Sequence, residues 1–79
     1  MITVYSKNNC PFCDQAKNLL KLKGVAYTEV KIDENAIARE FVLSKGHRTV
    51  PQIYQDGQLL VEGGDLAQLQ LLEAGDGSV

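Results

Sequence analysis

The two cysteines of this chain, Cys10 and Cys13, lie where a strand pattern gives way to a helix pattern. Residues 2–5 are β-branched or aromatic and predict a strand. From Cys13 onward, small and apolar residues recur at helical spacing, so a helix is predicted to begin within the motif. Pro11 suits the first turn of that helix, because its missing N–H would have no intrahelical acceptor there. Two thiols so placed are arranged to form and break a disulfide.

Length and composition favour one small folded domain over residues 1–79, with residues 75–79 as a frayed tail. The hydrophobic fraction of 44% and the charged fraction of 23% are ordinary for a folded protein. The net charge of −2, without a cluster of Lys or Arg, argues against nucleic acid as a partner. No apolar stretch approaches the ~20 residues of a membrane span, and two close cysteines do not make a secreted disulfide framework. We therefore expect a cytoplasmic monomer with no membrane partner.

Turn and cap signals divide the chain into the order β-α-β-α-β-β-α. After the first helix, the sequence predicts a strand over 25–32, a helix over 36–45, strands over 50–54 and 59–62, and a helix from 65. The helix crossover makes the first two strands parallel, whereas the Asp56-Gly57 turn makes the last two an antiparallel hairpin. The fold class is therefore α/β, with a mixed four-stranded sheet flanked by three helices.

Polar residues and glycines mark the ends of the predicted helices. Asp33 and Asn35 both offer a side-chain oxygen that could cap the second helix. Gly46 is suited to end that helix, and Asp65 to cap the last one after Gly63-Gly64. The last helix would then present Leu66, Leu69 and Leu72 on one face.

Four short segments make the chain resemble dithiol glutaredoxins over residues 2–72. They are Tyr5-Ser6-Lys7, Cys10-Pro11-Phe12-Cys13, Thr49-Val50-Pro51 and Gly63-Gly64-Asp65. The resemblance implies a thioredoxin-like fold and a redox-active cysteine pair. Two positions depart from the family's commonest pattern. Phe12 stands where tyrosine is usual, and a single acid, Asp65, follows the two glycines.

The two thiols are expected to have different roles. The thiolate is the form that attacks a disulfide, and a helix N-terminus favours negative charge. Cys10 lies at that terminus with Lys7 nearby, so we predict a lowered pKa and a nucleophilic role for Cys10. Cys13 lies one turn further along, where we expect it to be less exposed and to act as the resolving thiol.

The resemblance also implies that glutathione is the co-substrate and that no cofactor is tightly bound. The residues implied in binding glutathione or substrate are Lys7, Phe12, Arg48, Thr49, Val50, Pro51, Gly64 and Asp65. Pro51 would be cis and would turn the backbone of Val50 toward an incoming peptide. Lys7 and Arg48 would hold the glycine carboxylate. Gly64 and Asp65 would hold the γ-glutamyl end, and Phe12 would form an apolar wall.

Other interpretations stay open from the sequence. The cysteines could belong to a structural zinc site with His47, to a structural disulfide, or to an iron–sulfur cluster shared between chains. Lys7 could be a solvated lysine, and His47 is expected in a surface loop. Among enzymes, the alternative is a glutaredoxin-like protein that thioredoxin reductase reduces and that supplies electrons to ribonucleotide reductase. Disulfide-containing proteins are the expected substrates in either case.

Overall fold

The computed structural model describes residues 1–60 and 77–78 of the chain. Its elements are β1 (Ile2–Ser6), α1 (Pro11–Leu22), β2 (Tyr27–Lys31), α2 (Ala36–Ser44), β3 (Thr49–Val50), β4 (Gln52–Gln55), β5 (Gln58–Leu59) and β6 (Gly77–Ser78). The predicted last helix, from residue 65, lies outside the described residues. So does the second half of the strand predicted over 59–62.

Four of the strands form one mixed sheet in the order β2-β1-β4-β5. β1 runs parallel to β2 and antiparallel to β4, and β4 continues antiparallel into β5. The turn between β4 and β5 contains Asp56 and Gly57, both with positive φ, as a tight hairpin turn requires. The predicted α/β fold with a four-stranded mixed sheet is therefore confirmed.

The two described helices begin where their capping residues predict. Cys10 caps α1 with its side chain, and Pro11 occupies the first turn. Asn35 caps α2, since its side-chain oxygen accepts from the N–H of Ala38 at 3.0 Å. Asp33, the other candidate cap, binds elsewhere. In the part of the chain that the structure describes, neither helix has the length and apolar character needed to cross a membrane.

The strand predicted over 50–54 is divided at Pro51, because proline has no N–H to contribute to a strand ladder. The residues before it, Thr49–Val50, leave the main sheet and pair antiparallel with Gly77–Ser78. The tail predicted over 75–79 thus includes two residues, Gly77 and Ser78, whose backbone pairs with β3. Backbone pairing to a strand outside the main sheet holds these two residues in place.

Among the described residues, two apolar clusters pack against the sheet. The first, which we call the inert core, consists of Ile2, Val4, Ala16, Leu20 and Ile53. The second, the cysteine core, consists of Cys10, Cys13, Ile32, Ala38, Val42 and Val50. Successive residues of a strand point to opposite faces of a sheet, and in β1 Val4 belongs to the inert core whereas Tyr5 packs on the cysteine core. The two cores thus lie on opposite faces of β1.

Candidate active site

Cys10 and Cys13 form a disulfide at the start of α1. The pair is enclosed by the cysteine core, and the exposed fractions are 2% for Cys10 and 1% for Cys13. The sequence predicted that Cys13 would be the less exposed of the two. Burial does not distinguish them in this oxidised form, so any difference in role must come from the groups around each sulfur.

The N-terminus of α1 is directed at the sulfur of Cys10. The backbone N–H of Cys13 donates to Cys10 Sγ over 3.2 Å, and the N–H of Asp14 donates to the carbonyl of Cys10 over 3.1 Å. Unpaired N–H groups at a helix start stabilise negative charge. After reduction, the same N–H would stabilise a thiolate on Cys10. This geometry is what a nucleophilic cysteine requires.

A cis peptide bond between Val50 and Pro51 faces the disulfide. The carbonyl oxygen of Val50 lies 3.9 Å from Cys10 Sγ, and both Val50 and Pro51 are buried. The cis proline implied by the family resemblance is therefore present. It places the backbone of residues 49–50 beside the reactive sulfur.

Two polar contacts near this segment had no clear signal in the sequence. Gln52 is buried and donates from Nε2 to the carbonyl of Thr49 over 2.8 Å, which braces β3 across the proline. His47 Nε2 lies 2.7 Å from the hydroxyl of Tyr54. His47 lies in the loop between α2 and β3, as expected, but it is half-buried there, and burial lowers its pKa. For the contact between Gln52 and Thr49, the one signal in the sequence was a glutamine within an apolar strand pattern.

A partly buried ion pair lies beside the end of β1. Glu29 Oε2 accepts from the hydroxyl of Ser6 over 2.7 Å and from Lys17 Nζ over 2.9 Å. Burial alone would raise the pKa of Glu29. The hydrogen bonds from Lys17 and Ser6, with the charges of Lys17 and Lys31, outweigh burial and hold that pKa below its ordinary value. Glu29 is therefore ionised at neutral pH, and it fixes the last residue of β1 before the loop to the motif.

The other predicted binding residues are only partly assembled by the described chain. Lys7 and Phe12 are half-buried on either side of Cys10 in sequence, and Thr49 is half-buried next to Val50. Arg48 is exposed and lines a surface pocket with Leu43, Gly46 and His47. Gly64 and Asp65 lie outside the described residues.

A metal centre finds no support among residues 1–60 and 77–78. No group of three or more His, Cys, Asp or Glu side chains in that part of the chain is placed to hold an ion. His47, the candidate third zinc ligand, instead contacts Tyr54.

Comparison with known sequences gives a consistent result. A family model described as Glutaredoxin matches residues 2–60. The chain is 44% identical over 69 residues to Glutaredoxin 3 of Escherichia coli strain K12, covering 86% of this chain and 83% of that protein. It is 43% identical over 56 residues to the glutaredoxin-like protein NrdH of Lactococcus lactis subsp. cremoris, covering 71% of this chain and 78% of that protein.

Solved structures share the same fold. The thioredoxin-like protein BC3987 superposes with a TM-score of 0.72 at 33% identity, over 91% of this chain and 99% of its own. A buckwheat glutaredoxin in complex with glutathione superposes with a TM-score of 0.67 at 27% identity, over 87% of this chain and 64% of its own. The thioredoxin-like fold is thereby confirmed. With the family match over residues 2–60 and a cysteine pair at a helix start opposite a cis proline, the chain belongs to the glutaredoxin family of thiol oxidoreductases.

Proposed function

We propose that the protein is a glutathione-dependent thiol–disulfide oxidoreductase that reduces protein disulfides and glutathione mixed disulfides. The observation that carries the proposal is the position of Cys10 Sγ. It lies 3.2 Å from the helix N–H of Cys13 and 3.9 Å from the carbonyl of Val50. One side of the sulfur favours the thiolate, and the other side offers a backbone segment beside which a substrate can lie.

The proposed reduction of substrate begins with the thiolate of Cys10. It attacks one sulfur of the substrate disulfide, and the other substrate sulfur leaves as a thiolate that takes up a proton. Cys13 then loses its proton and attacks Cys10 Sγ. The mixed disulfide breaks, the reduced substrate leaves, and the Cys10–Cys13 disulfide forms. The substrate has gained two electrons and the enzyme has lost two.

Two molecules of glutathione restore the dithiol in the proposed cycle. The thiolate of the first attacks Cys10 Sγ, which releases Cys13 as a thiol and leaves glutathione bound to Cys10. The thiolate of the second attacks the sulfur of that bound glutathione. Oxidised glutathione departs, and Cys10 returns to the thiolate stabilised by the helix N-terminus. A glutathione mixed disulfide of another protein would need only Cys10.

Glutathione is proposed to bind along residues 49–50. This backbone already accepts an antiparallel partner, since Thr49–Val50 pairs with Gly77–Ser78. Lys7 and Arg48 are the proposed cations for the glycine carboxylate, and Phe12 the proposed apolar wall. Gly64 and Asp65 are proposed for the γ-glutamyl end. The glutathione complex of the buckwheat glutaredoxin, which shares this fold, supports glutathione as the ligand.

A second candidate function is favoured by the match to NrdH, whose identity of 43% is almost that of Glutaredoxin 3 at 44%. In this alternative, thioredoxin reductase instead of glutathione reduces the Cys10–Cys13 disulfide. The protein then supplies electrons to an enzyme such as ribonucleotide reductase. The chemistry at Cys10 and Cys13 would be the same, and only the reductant would differ.

The two candidates are separated by a coupled assay with two reductants. One arm contains NADPH, glutathione and glutathione reductase with a small glutathione mixed disulfide, and the other contains NADPH and thioredoxin reductase with a protein disulfide. Turnover in the glutathione arm that is lost in Cys10→Ser supports the first proposal. Cys13→Ser should keep turnover of the mixed disulfide and lose that of the protein disulfide. Turnover with thioredoxin reductase alone would support the second candidate and overturn the first.

We also propose that the protein works as a cytoplasmic monomer without a tightly bound cofactor. The cycle needs both thiols reduced between turnovers, and a reducing compartment supplies that condition. Anaerobic reconstitution with iron and sulfide tests the competing iron–sulfur carrier. A colourless monomer supports the oxidoreductase, whereas a coloured dimer that needs Cys10 would favour the carrier.

A further inference from the structure

The loop between β1 and α1 determines where the sulfur of Cys10 lies. Residues 7–9 join Ser6, which is fully buried, to Cys10, which is 2% exposed. Asn8 and Asn9 are exposed, so apolar packing does not fix their conformation. Asn9 has φ +58, a left-handed conformation that asparagine tolerates better than most residues. A short exposed loop with a left-handed residue needs specific contacts to hold one shape.

Asn8 supplies those contacts through hydrogen bonds to the last residue of β2 and to the segment that follows β2. Its backbone N–H and its Nδ2 both donate to Asp33 Oδ2, over 3.1 Å and 2.9 Å. The Nδ2 also donates to Glu34 Oε2 over 2.7 Å, and the Oδ1 accepts from Lys31 Nζ over 2.9 Å. The amide thereby uses both donor hydrogens and its acceptor oxygen on one neighbouring segment.

We propose that Asn8 is a positioning residue that ties the loop before the motif to residues 31–34. It thereby holds Cys10 Sγ at the helix N-terminus and sets how readily the Cys10 thiol ionises. The proposal rests on the thiol chemistry of Cys10 and not on which reductant restores the dithiol. It assigns a role to a side chain that touches neither sulfur.

The charges around the loop explain why an amide is suited to this position. Asp33 and Glu34 bring two carboxylates to Asn8, and Lys31 brings one ammonium group. The hydrogen bond from the backbone N–H of Asn8 and then that from its side chain keep the pKa of Asp33 below its ordinary value, so Asp33 is ionised at neutral pH. An aspartate at position 8 has nearly the same shape, but it would lose both Nδ2 bonds and face two like charges.

Four other charged side chains on the elements around the motif must stay constant in a test. They are Lys7 in the same loop, Asp14 in the first turn of α1, and Lys17 with its partner Glu29. Substitutions at position 8 leave all of them in place. A change in the titration of Cys10 can then be attributed to the position of the loop or, in Asn8→Asp, to the new charge.

The experiment titrates the reduced, full-length protein without glutathione or any reductase. The rate of alkylation by iodoacetamide against pH, with the ultraviolet absorbance of the thiolate, gives the midpoint for Cys10. We expect Asn8→Ala to raise this midpoint by about 0.5–1 pH unit, which lowers the thiolate fraction by about 3–10-fold at pH values below the parent's midpoint. Asn8→Asp should raise it at least as far. The Cys10–Cys13 disulfide should also become harder to reduce in both variants, since the reduced form loses thiolate stabilisation.

A matched control separates positioning from a general effect on the fold. Asn18 is also exposed and lies on α1, and within the described residues its side chain makes no hydrogen bond, so Asn18→Ala should keep the parent's midpoint. A loss of unfolding stability in Asn8→Ala with an unchanged midpoint would overturn the proposal, because the contacts would then be merely structural. An Asn8→Asp variant that titrates like the parent would overturn it as well. Neither outcome bears on which reductant the protein uses.

Discussion

The inert core and the cysteine core are equally well buried, yet they have to meet different requirements. Val4, Leu20 and Ile53 in the inert core are fully buried hydrocarbon side chains that keep the same bonds throughout any reaction. The cysteine core encloses two sulfurs that change between a disulfide and two thiols. Packing in the first core affects only the free energy of unfolding. Packing in the second must also affect the balance between the oxidised and reduced forms.

The largest expected effect is a loss of stability in the inert core. Leu20→Ala leaves a cavity where the side chain is fully buried, and should lower the free energy of unfolding by about 2–5 kcal/mol. Urea unfolding of the oxidised protein measures the loss. The reduction potential should stay that of the parent.

Leu22→Ala is the matched control, because Leu22 lies in the same helix and is 84% exposed. It should leave stability within about 0.5 kcal/mol of the parent. Two results would show that the inert core is not purely structural. One is a loss of stability in Leu20→Ala no larger than that in Leu22→Ala, and the other is a changed reduction potential in Leu20→Ala.

A smaller but broader effect is expected in the cysteine core. Val42→Ala removes two methyl groups from a fully buried side chain and should lower the stability of the oxidised form by about 1–2.5 kcal/mol. The oxidised form should lose more stability than the reduced form, because the disulfide fixes both sulfurs while free thiols can adjust to the cavity. The reduction potential should therefore rise, in contrast to Leu20→Ala.

Unfolding of both redox forms, with equilibration against a glutathione buffer, measures this difference. Equal losses in the two forms would mean that the packing of Val42 does not distinguish disulfide from thiols. The two cores would then differ only in that one of them contains the two cysteine sulfurs.

The partly buried ion pair between Lys17 and Glu29 gives a pH-dependent effect of about 1 kcal/mol. The pKa of Glu29 is lower in the folded protein than in the unfolded chain, so its contribution is present above the unfolded pKa and is lost as pH falls through the folded pKa. Glu29→Gln should be less stable than the parent near neutral pH, and the difference should disappear as pH falls through the folded pKa of Glu29. A difference that persists in acid would show that shape and not charge is responsible. Since Glu29 also holds Ser6, this pair stabilises the end of β1 that leads to the cysteine core.

Local sequence patterns predicted the helices and strands, but they could not predict contacts between residues that are distant in the chain. Periodicity and capping located β1, α1, β2 and α2 to within a few residues, because these signals are contained in the segments themselves. The choice between Asp33 and Asn35 as the cap of α2 could not be made locally. Asp33 is engaged by Asn8, which is 25 residues away in the chain. No spacing rule connects two such positions.

The candidate active site was likewise predictable where it depends on local sequence and not where it depends on contacts between distant residues. The place of Cys10 at a helix start came from the sequence, since Pro11 and the strand before it are local signals. The cis bond at Pro51 came from the family resemblance, and its approach to Cys10 depends on the packing of β3 against α1. The bracing of Thr49 by Gln52 and the pairing of β3 with β6 depend on that same packing. They emerge only in the folded chain.

The smallest expected effect concerns β6, which pairs with the edge of the cysteine core at Thr49–Val50. A substrate backbone that binds along Val50 has to compete with this pairing, and a net hydrogen bond contributes only about 0.5–1.5 kcal/mol. Ser78→Pro removes one backbone N–H from β6, and we expect it to raise kcat/KM for a glutathionylated peptide by about 2–5-fold. Ser78→Ala keeps that N–H and should have the kcat/KM of the parent. Iodoacetamide is too small to need the edge of β3, so both variants should be alkylated at the parent's rate. Equal kcat/KM values for Ser78→Pro and Ser78→Ala would show that substrate does not bind at the edge of β3 that pairs with β6. Substrate would then reach the cysteine core from a different side.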